Sequence, residues 1–93
     1  MTDTEVNKVI AEYMGKEGFV TLGTNDIRKI PIRYTKSLDA LVPVWGKLGS
    51  YPVFRMRNNG NAVCFFMDWE VEEETIQQAA AHATAKAIQE NIQ

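Results

Sequence analysis

The stretch from Arg55 to Trp69 places the tightest constraint on the fold. Two runs of strand-forming residues, 53–57 and 62–69, flank Asn58-Asn59-Gly60-Asn61, and an alanine-rich segment follows. Gly60 supplies the positive φ that a tight hairpin needs, and the neighbouring asparagines tolerate it. Side chains alternate along a strand, so Val63, Phe65, Met67 and Trp69 share one face and Cys64, Phe66 and Asp68 the other. The first, bulkier set is expected to pack on the closing helix, whose stripe is Ile76, Ala80, Ala83 and Ala87. Glu72, Glu73 and Glu74 open that helix in this reading, because carboxylates favour the positive end of the helix dipole.

Upstream, Val6, Val9, Ile10, Tyr13 and Met14 recur at helical spacing over 4–14, with Asp3 or Thr4 as N-cap and Gly15 as terminator. A second helix, 38–48, carries Leu38, Leu41, Val42, Trp45 and Leu48 on one stripe. Ser37 caps it, Gly49 stops it, and Pro43 within it predicts a kink. Between the two helices, 18–22 has strand composition, Gly23 to Asp26 reads as a turn, and Ile27, Ile30, Ile32 and Tyr34 mark a second extended piece. Pro31 lacks a ladder donor, so that piece is an edge strand or an irregular arm. The expected fold is one α+β domain over 1–93: a small antiparallel sheet of three to four strands with three helices, in the order α-β-(β)-α-β-β-α.

At 93 residues and 45% hydrophobic, the chain is large enough to bury a core without covalent staples. No run approaches the roughly 18 apolar residues of a membrane span. The acidic opening from Met1 to Glu5 has no apolar segment behind it, which predicts no signal peptide. The single cysteine, Cys64, excludes an internal disulfide and suits a reducing compartment. Charge is unevenly spread: residues 24–60 hold seven of the ten basic groups against two acids, whereas 61–93 hold six acids against Lys86. This dipolar pattern is not the broad basic footprint of a nucleic-acid binder.

Few residues carry candidate chemistry. His82 is the only histidine and sits among alanines, too few ligands for a metal site, with the glutamates at the helix start and Glu90 two turns on as its only nearby acids. Cys64, inside a strand between Val63 and Phe65, reads as a buried inert thiol. The acids from Asp68 to Glu74 lack the glycine turn of a calcium loop. Trp45 falls on a helix stripe and reads as core. Arg55 and Arg57 alternate in one strand and point to one face, where paired guanidinium groups can grip a phosphate or carboxylate. Arg33, with Arg28 and Lys29, joins them if the arm lies alongside.

Three segments also follow a shared pattern: Val9 to Gly15 (VIAEYMG), Tyr34 to Leu48 (YTKSLDALVPVWGKL) and Ala79 to Glu90 (AAAHATAKAIQE). The pattern resembles small phage and prophage proteins of unknown function, similar to the phage ABA sandwich domain family, and covers most of the chain. Gly46 departs from it, standing where an acidic residue is expected before Lys47. The resemblance implies a viral genome context, a location in the bacterial host cytoplasm, and no catalytic residues to carry over. With no enzyme, metal or cofactor constellation in the residues themselves, the expected function is a non-enzymatic accessory protein acting by protein contact, through a host factor or as a homo-oligomer. The alternative is a small-anion or nucleotide binder using Arg55, Arg57 and Arg33.

Overall fold

In this computed structural model, which describes residues 1–21 and 29–91, the order is α1 (Asp3–Met14), β1 (Phe19–Thr21), β2 (Lys29–Pro31), α2 (Leu38–Leu48), β3 (Val53–Met56), β4 (Ala62–Phe66), β5 (Trp69–Glu73) and α3 (Ile76–Asn91). The α+β class is the one expected. β1 and β2 pair antiparallel, and β3-β4-β5 form a second antiparallel sheet. The expected turn from Gly23 to Asp26, together with Ile27 and Arg28, lies outside the described residues.

β5 is an addition to the expected plan. The run 62–69 is not one strand: the chain reverses at Met67-Asp68, with Met67 at φ 55, and returns along β4 with Phe66 opposite Trp69 and Ala62 opposite Glu73. Trp69-Glu70-Val71-Glu72 alternates apolar and acidic residues, the period of a half-buried strand. Glu72 and Glu73 therefore belong to a strand and not to a helix start. The helix begins at Ile76 behind Thr75, whose Oγ1 accepts the Gln78 amide at 3.1 Å and donates to Gln78 Oε1 at 3.3 Å. Thr75-x-x-Gln78 is the sequence pattern of a capping box.

The sheet face that meets α3 is also the opposite of the expected one. Cys64 and Phe66 are fully buried against the alanines, while Phe65 and Met67 stay partly exposed. The cause lies in the neighbouring strands. Register places Glu70 and Glu72 of β5 and Arg55 of β3 on the Val63–Phe65 face, and burying those charges beneath a helix of alanines would leave them without solvation. The Ala62–Cys64–Phe66 face gains Trp69 and Val71 instead.

α3 lies at the centre of the molecule. It packs against β4 and β5 on one side and against α1, α2 and the 3₁₀ turn Tyr34–Lys36 on the other. Ala79, Ala80, Ala81, Ala83, Ala85 and Ala87 are all fully buried, so small side chains are required around the helix and not along one stripe. Alanine meets that need and is also the best helix former. Two polar side chains inside this layer satisfy each other: Trp45 Nε1 donates to Thr84 Oγ1 at 2.9 Å, and Thr84 Oγ1 donates to the Ala80 carbonyl at 2.7 Å.

The outer helices are closed by side chains from elsewhere. Thr2, and not Asp3 or Thr4, caps α1 in a capping box with Glu5, which leaves Asp3 as the first helical residue. Lys47 of α2 donates to the Tyr13 carbonyl at 2.8 Å and lies over the Tyr13 ring, closing the other end of α1. At Gly18 any Cβ would overlap the Ala11 backbone, so glycine alone lets the chain fold back tightly on α1. α2 starts at the Ser37 cap, runs through the exposed Pro43, and ends at Gly49 in the left-handed conformation.

Two stability measurements follow from this packing. Thr84→Val keeps the shape but leaves the Trp45 indole N–H buried without an acceptor, and should cost about 1–3 kcal/mol in urea unfolding. Met67→Gly removes a side chain from a positive-φ position and should raise stability by about 1 kcal/mol in the same assay.

Candidate functional site

The charge asymmetry of the sequence folds onto one face of the β3-β4-β5 sheet. Val53 and Arg55 of β3 lie opposite Phe65 and Val63 of β4, and these lie opposite Glu70 and Glu72 of β5. Arg57, one step beyond β3, reaches across to Glu72, with Nε 2.8 Å from Oε1. Asn61 Nδ2 donates to the other Glu72 oxygen at 3.0 Å. The Asn61 hydrogen bond is the main cause, with Arg57 contributing, that holds the Glu72 carboxyl below its usual range. Arg55 makes no ion pair among the described residues.

Arg55 and Arg57, with Met56, Asn58 and Asn59, line an open concavity of about 420 Å³ at the hairpin end. The structure thus brings together two of the three arginines singled out in the sequence. Arg33 lies in a different cleft of about 180 Å³, beside Thr4, Asn7, Ile30 and Pro31. The side chain of Arg57 is already engaged by a carboxylate.

β3 presents a second feature that the sequence did not disclose. It is the edge of its sheet and is exposed on both faces: Val53 is 65% exposed, Phe54 36% and Met56 58%. The Arg57 amide donates to the Asn61 carbonyl at 2.8 Å, which fixes the phase of the ladder. Backbone groups of Arg55 and Val53 then point at β4, and those of Phe54 and Met56 point away from the sheet, with no hydrogen-bond partner among the described residues. α3 packs chiefly beneath β4 and β5, and Phe54 and Met56 on the inner side of β3 stay exposed.

His82 occupies a separate cleft of about 270 Å³ between α3 and β5, lined also by Val71, Glu73, Lys86 and Glu90. Its Nε2 is 2.8 Å from Asp3 Oδ1, and its Nδ1 is 3.9 Å from Glu73 Oε2. Gln78 Nε2 donates to the second Asp3 oxygen at 3.3 Å. No acid within one turn of His82 could have foretold this, because Asp3 is 79 positions away. The hydrogen bond from His82 is the leading cause that holds the Asp3 carboxyl below its usual range. Through these contacts the histidine ties the start of α1 to α3 and β5.

Cys64 is buried, and desolvation pushes its thiol up to about 12, the inert state expected of it. Among the described residues no group of three or more His, Cys, Asp or Glu side chains is placed to hold a metal ion. Among them, too, no helix is long and apolar enough to cross a membrane. Trp69 keeps its indole N–H buried without a protein acceptor, with Lys86 over the ring at 5.0 Å. Compared with protein-family models, with curated proteins and with solved structures, the chain matches none.

The Asp3 tie makes stability depend on pH. Its carboxyl pKa is lower in the folded state than in the unfolded chain, so the contribution is present above the unfolded value near 3.9 and is lost as pH falls through the folded one. Thermal melts of the natural chain and Asp3→Asn should differ above the unfolded value near 3.9, and the difference should shrink as pH falls below it.

Proposed function

We propose that this protein acts by binding, with β3 as the contact strand, and carries out no chemistry of its own. The observation that carries the reading is the exposure of β3 on both faces together with two outward-pointing backbone positions, Phe54 and Met56. An edge strand with open donors and acceptors is a template for strand addition, and natural domains cover or blunt such edges unless they use them. The apolar side chains of Val53, Phe54 and Met56 belong to the same surface, and Arg55 adds a positive charge to its outer side. A small accessory protein that works by contact, of the kind implied by the phage resemblance, fits these features. A dedicated anion pocket fits less well, because Glu72 already occupies Arg57 and Arg33 lies in another cleft.

Phe54→Pro isolates the edge. It deletes an outward N–H without removing a bond to β4, and proline is tolerated on edge strands. The variant should melt close to the natural chain yet lose proteins that the natural chain retains on a column loaded with bacterial lysate. Identical retained sets would refute β3 as the contact strand.

A further inference from the structure

We infer that copies of this chain join head to tail, β3 of one copy pairing in parallel with β5 of the next. The inference rests on the reading of β3 as the contact strand and names the partner as a second copy.

β3 and β5 are the two edges of one sheet, and each is antiparallel to β4, so they run parallel to one another. Their residues are complementary in order. Phe54-Arg55-Met56-Arg57 aligns with Trp69-Glu70-Val71-Glu72, apolar on apolar and Arg55 on Glu70, with Arg57 and Glu72 meeting where each is already bridged within its own copy. The backbone phase permits this alignment. On β4, residues 63 and 65 face β3, so 62, 64 and 66 face β5 and bond to 73, 71 and 69. Glu70 and Glu72 therefore direct their backbone groups outward, as Phe54 and Met56 do on β3.

In a parallel pair each bonding residue reaches the two neighbours of the residue opposite it. The Phe54 and Met56 amides then meet the carbonyls of Asp68 and Glu70 in the next copy. The amides of Glu70 and Glu72 meet the carbonyls of Phe54 and Met56. All four outward donors are used, and both copies keep their helices on the same side of the extended sheet. The junction also answers the exposure of Met56. Opposite Val71 it reaches the mouth of the His82 cleft beside Lys86, so a neighbour's α3 covers the side chain that its own helix leaves open.

The other pairings are worse on charge or phase. β3 against β5 in the antiparallel sense sets Phe54 opposite a glutamate, because outward-bonding positions on the two strands carry side chains of opposite faces. β3 against β3 gathers two arginine rows, and β5 against β5 gathers two glutamate rows; like charges across strands are destabilising. The favoured junction is heterologous, which generates a ring where the rotation closes and a filament where it does not.

A charge exchange tests this directly, using Arg55 and Glu70, which take no part in the Arg57–Glu72 pair. Sedimentation velocity at rising concentration should show the natural chain associating, more weakly as salt is raised from about 0.05 to 0.5 M. Arg55→Glu alone and Glu70→Arg alone should each associate about tenfold more weakly. An equimolar mixture of the two variants should recover association. At one junction the introduced glutamate of the first variant faces the introduced arginine of the second, and at the next the unchanged Arg55 faces the unchanged Glu70. That recovery also shows both variants to be folded. A mixture that stays as weak as its components overturns the junction, as does a closed dimer indifferent to both changes. A natural chain that stays monomeric at millimolar concentration overturns self-assembly. If Phe54→Pro still loses a lysate partner in that case, the contact-strand reading stands without it.

Discussion

The layers of this molecule are arranged around a helix whose buried surface is mostly alanine. α3 is covered on both sides, by β4 and β5 and by α1 and α2, and its six buried alanines set the distances between those layers. Enlarging any of them separates two interfaces at once, in an interior where a single extra methylene is felt. The neighbours supply the bulk that α3 lacks, with Phe66 from the sheet and Ile10, Tyr34, Leu41 and Trp45 from the other side. Because the centre is built from backbone and methyl groups, its one polar bridge, Trp45 to Thr84 to Ala80, fixes the rotation of α2 on α3 in a way that alanine contacts alone do not.

The same arrangement explains why β3 is left open. One helix of this width covers two strands, and α3 is taken up by β4 and β5. β3 is held by its ladder to β4 and by the Arg57–Glu72 bridge over the outer face. That bridge links the two oppositely charged edges across the strand between them. Exposure of apolar side chains on both faces of one short strand is thus a consequence of how the core was filled, and it leaves a surface suited to contact with another chain.

The sequence made the three helices and the first hairpin legible because each signal is local: periodic apolar residues, Ser37, Gly49 and the Asn-rich turn. β5 was missed because its acids lie next to an alanine helix and resemble a helix start. Strict alternation from Trp69 to Glu72, with Thr75-x-x-Gln78 behind it, was the signal that favoured a strand. Arg55 and Arg57 were correctly placed on one face, since alternation along a strand is a local property. Their relation to Glu72 and their separation from Arg33 depend on strand order and on the path of a distant arm.

By itself the sequence determined the class of fold, the presence and order of the three helices and the inert character of Cys64, because helix periodicity and turn residues act within a few positions. Only the tertiary structure decided which face of β4 met α3, that His82 would find Asp3 from the other end of the chain, and that β3 would remain an uncovered edge. Each of those depends on which charges could stay in water once the sheet was assembled. That is a property of the whole register, and no single segment carries it.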